Sequence, residues 1–353
     1  MSLEIPLKKQ FLVFCLLILI FLVGLEISLR IFDEFQPNCK FLGKDALNNI
    51  DLKKQKEMCE DYNSIKYLKI GEYNFPEPNQ NLSHLNINSL GIRGEELVYD
   101  NESYKILVSG GSTVFGDGAS SDKTTIPAIL EQKLNSYYEI EIQVFNAGVG
   151  GIDSDGEIIM LKKLMESIEP DLVIIYDGWN DIRQENFQNA GSVGIVQQIL
   201  KYYKTPAIIY KLFFTDYNLG QLQFNRESQI NASEDWKNNW IDFCQRERNY
   251  QVSIFLQPLL FYGKDYLSND ERKSLTSSPF LEHQRLGHEL LSEKIVEISP
   301  HCEQITDLRQ AFSDISEPIY FDYGHMSDFG NEIIASKIFE KIIILMDNKI
   351  DLK

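Results

Sequence analysis

Basic charge is scarce in this chain: 34 Lys and Arg stand against 52 Asp and Glu over 353 residues, a net charge of −18. Binding to nucleic acid rests on cations that neutralise phosphates, so no nucleic-acid partner is expected. Histidine is equally sparse at five, and any catalytic imidazole has to be found among so few. Cysteine also numbers five, without the C-x-x-C spacing of a structural zinc site. The glycine-rich stretch SGGSTVFGDG (109–118) has neither the lysine of a phosphate-binding loop nor the G-x-G-x-x-G dinucleotide fingerprint. No internal repeat is visible. Hydrophobic residues make up 43%, enough to build a substantial core.

The longest apolar run lies near the start. Lys8 and Lys9 precede it, Phe11 to Leu25 carries no charge, and apolar residues resume after Glu26 as far as Phe32. Read as helix, residues 11–31 measure roughly 31 Å, enough to cross a bilayer core. A cleaved signal peptide is the competing reading, but no A-x-A-like site follows, which favours an uncleaved anchor. Cys15 has too little apolar sequence before it for a lipoprotein site. The lysines before the run, with Asp33 and Glu34 after it, place residues 1–10 in the cytoplasm and the rest outside. The expected organisation is a tail (1–10), a transmembrane anchor (11–31), an extracytoplasmic lead-in (32–100) without sustained period, and a main folded domain (101–353).

Outside the anchor the four remaining cysteines are compatible with two disulfides in an oxidising compartment. The expected pairs are Cys39 with Cys59, closing a short juxtamembrane loop, and Cys244 with Cys302, tying the ends of two helices that each precede a strand. Four unpaired thiols are the alternative. Asn81, Asn101 and Asn231 stand in N-x-S/T triplets, which arise often by chance.

From residue 103 short apolar runs alternate with helical periodicity. Strands are expected at 104–110, 142–148, 171–178, 251–258 and 304–308, with helices between them and a last helix over 331–346. This alternation argues for a parallel α/β sheet covered by helices on both faces. Ligands of such sheets bind at the carboxyl ends of the strands, where three small or polar clusters fall: 110–118, 146–151 and 178–181.

Ser112, just past the first strand, can start a helix with its hydroxyl and its own N–H facing the cleft. An N-cap serine would sit there too. As a nucleophile it needs a base. His84 lies in the lead-in, His283 and His288 on a polar stretch read as a solvated helix face, and His301 at a helix end. His325 differs, with Asp322 three residues upstream and a helix starting at Ser327 and Asp328. Asp322 can fix one imidazole nitrogen and leave the other for Ser112. Donors for an oxyanion are available in the Ser112 N–H, a glycine N–H of NAGVGG (146–151) and the Asn180 amide. Asp177 and Asp181 flank a turn, where a structural role outweighs metal binding, and no metal or cofactor is expected.

Taken together, GGSTVFG, NAGVGG, GWND and DYGHMSDFGN resemble, in order, the four blocks of the SGNH, or GDSL-type, hydrolase family. The resemblance spans roughly residues 103–345. It implies a flavodoxin-like three-layer α/β/α sandwich and ester hydrolysis or acyl transfer without a metal. It implies Ser112 as nucleophile, His325 as base and Asp322 as its orienter. The oxyanion hole would be the Ser112 N–H, Asn180 and, by spacing from Asn146, Gly151, with Gly148 second. Gly111 departs from the common form, which has Asp before the serine, and resembles GGST-type membrane-anchored members. NINSLGIRGEE (86–96) resembles a stretch preceding the serine block in such members; Arg93 there is read as a surface charge that could reach the cleft. Trp179 could stack on a sugar or pack under the following helix. The expected activity is that of a membrane-anchored esterase acting on O-acyl, above all acetyl, esters of a surface glycan. Alternatives are an O-acyltransferase with the same residues, a lipase or thioesterase with 207–214 as a lid, and a non-catalytic glycan-binding domain.

Overall fold

The computed structural model describes residues 6–35, 39–96, 103–182, 205, 226–277 and 281–350. The expected lid at 207–214 and most of the helix expected around it lie outside these residues. The chain divides into two compact units, one holding residues 1–38 and 189–223, the other 39–188 and 224–353.

In the first unit a helix runs over Leu7–Phe35. Its segment Leu7–Ile31 has a mean hydropathy of 2.9 and no buried residue, so it is long and apolar enough to cross a membrane.

The second unit is built on a sheet. Two small antiparallel hairpins come first, β1 (Tyr67–Ile70) with β2 (Tyr73–Pro76) and β3 (Gln80–Asn81) with β4 (Asn86–Ile87). The main strands are β5 (Tyr104–Gly110), β6 (Ile142–Gly148), β7 (Leu172–Asp177), β8 (Gln251–Leu256) and β9 (Gln304–Asp307). They pair in parallel in the order β6-β5-β7-β8-β9, the 2-1-3-4-5 order of the flavodoxin-like doubly wound fold.

Alternate residues of each strand enter separate cores, as the pleat requires. Leu107, Val173, Ile175 and Ile254 face the helices Ser154–Ile168, Arg226–Arg246 and Leu281–Ile298, meeting Leu161, Trp236, Trp240 and Leu291. Ile106, Val108, Ile174 and Tyr176 face the helices Ile126–Tyr137 and Asp328–Ile350, meeting Leu130, Ile334 and Ile338. With both faces covered, the strands read as continuous apolar runs. Cys244 is disulfide-bonded to Cys302, joining the Arg226–Arg246 helix to the segment before β9.

The lead-in from Cys39 belongs to this same unit and is more ordered than its lack of period implies. Leu52–Ser64 is a helix, capped by the Asp51 carboxylate, which accepts from the Lys54 N–H at 3.0 Å. Its buried face is half polar, Gln55 and Asp61 beside Met58 and Cys59, so no apolar stripe marks it. Gln55 Nε2 donates to the carbonyls of Leu47 and Ile50. Cys59 is bonded to Cys39, and Phe41, Met58 and Cys59 pack against Phe321.

Candidate active site

β5 ends at Gly110, and Ser112 opens a single helical turn, Ser112–Phe115. As the first residue of that turn Ser112 has an N–H with no intrahelical acceptor. The turn lies across the neighbouring strand end: a Cβ on Gly148 would stand 2.1 Å from the Phe115 nitrogen, so only glycine allows the approach. Gly116 closes the turn at φ +94°, in the left-handed region that favours glycine.

Arg93 fixes the far end of this turn. It is 3% exposed, not a surface charge, and its guanidinium does not front the cleft. Its Nη1 donates to the carbonyls of Phe115 at 3.1 Å and Gly116 at 2.9 Å, and its Nε to Asp122 Oδ1 at 2.8 Å. Tyr62, from the lead-in helix, shares the Gly116 carbonyl and accepts from Arg93 at 3.0 Å. A cation that saturates orphan carbonyls at a helix end is a capping group.

His325 is carried on the loop before the last helix. Its Nε2 stands 2.6 Å from Ser112 Oγ and its Nδ1 2.7 Å from Asp322 Oδ2. The other Asp322 oxygen accepts the N–H groups of Gly324 at 3.0 Å and His325 at 2.9 Å. The loop is held from beneath by buried Glu271, which accepts the N–H groups of Ile319 and Tyr320 at 2.9 and 3.1 Å. Lys264 donates to the carbonyls of Ile315 and Glu317, each at 2.9 Å. Ser120 N–H donates to Asp328 Oδ1 at 2.9 Å, linking the serine side of the site to the histidine side.

Burial alone would raise the Asp322 carboxyl; the charge and hydrogen bond of His325, with the two N–H donors, outweigh it and hold the group at about 2. For His325 burial favours the neutral ring, yet the charge and hydrogen bond of Asp322 and the charge of Asp117 raise it above its ordinary value, with Lys40 opposing them. Asp117 was not singled out from the sequence. Its Oδ2 lies 3.6 Å from His325 Nε2, on the side of the ring that faces the serine, and 3.9 Å from Lys40 Nζ.

Asn180 is the second of the helical residues that follow β7. It is 5% exposed and its amide has no hydrogen-bond partner among the described residues. A Cβ on Gly111 would lie 2.4 Å from Asn180 Nδ2, so the amide occupies the space that an aspartate there would need. Gly148 is not available as a donor, because its N–H already goes to Asn146 Oδ1 at 3.0 Å. Gly151 sits in an exposed turn at φ +74°, without an acceptor among the described residues. Beneath the site, Asp177 accepts from Trp236 Nε1 at 2.9 Å and Asp181 from Ser154 Oγ and N–H, which ties the end of β7 to one helix and the Trp179–Ile182 turn to another.

The cleft in front of the serine is lined by Gly111, Ser112, Thr113, Trp179, Asn180, Gln257, Gly324 and His325 and has a volume of about 10 Å³. That is room for about one water. Trp179 is 7% exposed and packs in the core against Phe261, while one side reaches this cleft. The arrangement can deprotonate a hydroxyl, hold the proton on a ring paired to a carboxylate, and present amide and backbone donors beside it.

No protein-family model and no curated protein sequence matches this chain. Among solved structures it is similar to an α/β hydrolase enzyme from the metagenome of Lake Arreo, Spain, at 13% identity, covering 67% of this chain and 94% of that one with a TM-score of 0.42. A lipase/acylhydrolase from Enterococcus faecalis is 16% identical over 68% of this chain and 95% of its own, TM-score 0.38. A variant of an acetyl xylan esterase from Geobacillus stearothermophilus is 14% identical over 68% and 94%, TM-score 0.39. Likeness of this degree is no evidence of a shared reaction, and the site has to be read from its own geometry.

Proposed function

We propose that this protein is a serine esterase that removes short acyl groups, acetyl foremost, from oxygen. The observation that carries the reading is the continuous hydrogen-bonded chain from Ser112 Oγ through His325 to Asp322, at 2.6 and 2.7 Å. Ser112 Oγ attacks the ester carbonyl while His325 Nε2 takes its proton; Asp322 holds the imidazolium that results. The Ser112 N–H, the Asn180 amide and the Gly151 N–H accept the charge on the carbonyl oxygen. Collapse breaks the ester C–O bond, His325 returns the proton to the departing alkoxide, and water hydrolyses the acyl-serine by the same steps in reverse roles.

The Leu7–Ile31 segment would anchor the enzyme, with Lys8 and Lys9 on the cytoplasmic side. Two disulfides, Cys39–Cys59 and Cys244–Cys302, support an oxidising, extracytoplasmic location for the catalytic unit.

The test uses the full chain in detergent with 4-nitrophenyl acetate and 4-nitrophenyl octanoate. Acetate release that exceeds octanoate release and is lost in Ser112→Ala supports the reading. Absence of turnover on both, with the fold intact, overturns hydrolysis and leaves transfer to a second hydroxyl as the use of the same residues.

A further inference from the structure

Two polar side chains that line the cleft, Thr113 and Gln257, are unused by the chemistry above. Gln257 lies just past the end of β8 and is 3% exposed, yet it lines the same small space as Ser112 and His325. Its side-chain amide makes no hydrogen bond to any described residue. The amide opens on the small water-accessible space in front of Ser112, where a ligand group that replaces water can bond it.

The backbone of Gln257 is fixed on both sides, which holds the point from which the amide projects. Its N–H donates to the Asp177 carbonyl at 3.0 Å, which ties it to the strand end that carries Asn180. Its carbonyl accepts from His288 Nε2 at 2.9 Å. His288 is fully buried, and burial pushes the imidazole down to about 3, so it remains a neutral donor throughout the working range. The sequence reading of His288 as part of a solvated helix face is thereby corrected: it faces inward and supports a residue of the cleft.

We propose that Gln257 is a specificity residue that hydrogen-bonds a hydroxyl next to the acylated oxygen, and that the alcohol half of the ester is a neutral sugar. A carboxamide offers a donor and an acceptor on one planar group, which matches a hydroxyl that does both. Trp179 adds an apolar edge to the same space. The carboxylates of Asp117 and Asp322 around the imidazole disfavour an anionic alcohol. This inference rests on the esterase reading and names its substrate class.

The experiment is a cycle between enzyme and substrate, in full-chain protein. A methyl glucoside carrying one acetyl ester is compared with the analogue in which the neighbouring hydroxyl is replaced by hydrogen, using wild type and Gln257→Met. A second variant, Gln257→Glu, keeps the acceptor and loses the donors. A site built to bond a hydroxyl rejects the analogue lacking it, so wild-type kcat/KM should fall by ~10–100-fold on the deoxy ester. In Gln257→Met that ratio should approach one, and Gln257→Glu should lie between. Each ratio is taken within one protein, so altered folding or active fraction cancels. Equal discrimination in wild type and Gln257→Met, or none in wild type, overturns the assignment. A wild type that cleaves 4-nitrophenyl acetate and neither glucoside overturns the sugar while leaving the esterase standing. A wild type that cleaves no ester overturns the esterase reading itself.

Discussion

Phe321 lies flat against His325, ring centroids 5.6 Å apart and planes 10° from parallel. Phe41, from the lead-in, meets the other part of Phe321 edge-on at 5.6 Å. The imidazole is thus held in its plane by an aromatic that the lead-in itself packs. Replacing Phe321 by Leu keeps an apolar side chain and removes the stack, a contact worth ~0.5–1.5 kcal/mol. The expected result is a kcat lower by ~3–10-fold with KM little changed, since the ring orients the base and does not touch the ester.

Asp117 and Lys40 should move the pH profile in opposite directions. His325 works as base only when neutral, so kcat/KM rises with pH through its folded pKa, which lies above the ordinary value. Asp322, Asp117 and Lys40 are the charged groups that set it. Asp117→Asn removes an anion that favours the imidazolium and shifts the acidic limb to lower pH. Lys40→Gln removes the opposing cation and shifts it to higher pH. Profiles that move the same way in both variants, or not at all, would contradict the 3.6 Å contact as a determinant of the base.

Asn180 and Gly111 are predicted to fail together. Asn180→Ala removes one oxyanion donor and should lower kcat by ~100–1,000-fold. Gly111→Asp should cost a comparable factor, because its Cβ would stand 2.4 Å from Asn180 Nδ2 and displace the amide. The double variant should be little worse than either single one, since both act on the same donor. Steady-state kinetics on 4-nitrophenyl acetate check this.

Much of this site was legible in the sequence, and the part that was not has a common physical cause. Strand β5 was expected at residues 104–110 and β6 at 142–148, where they are found, because buried parallel strands leave uninterrupted apolar runs. Ser112, Asp322 and His325 stood out because small-residue turns and a D-x-x-H spacing mark strand and helix ends. Gln257 and Glu271 did not, and Arg93 and His288 were read as exposed, since a buried polar residue looks in sequence like an exposed one. Only the fold shows that Arg93 caps the serine turn or that His288 points inward. The Leu52–Ser64 helix was missed for the same reason, its inner face being built partly from Gln55 and Asp61.

Arg93 is predicted to matter for stability before it matters for substrate. Arg93→Met removes the donor to Asp122 Oδ1, whose other oxygen keeps Asn86, and leaves the Gly116 carbonyl to Tyr62 and the Phe115 carbonyl without its guanidinium; it should cost ~1–3 kcal/mol. Arg93→Met with Asp122→Asn should recover part of that loss. Urea denaturation of the detergent-solubilised protein measures both.

The central claim, that Ser112 is a nucleophile activated by His325, is tested most directly by an active-site serine probe. A fluorophosphonate is reacted with wild type, Ser112→Ala and His325→Ala, and the modified peptide is identified by mass spectrometry. The account predicts one label per chain on Ser112 in wild type, none in Ser112→Ala, and labelling slowed by ~1,000-fold or more in His325→Ala. A folded wild type that takes no label, or one whose label persists in Ser112→Ala, would contradict it.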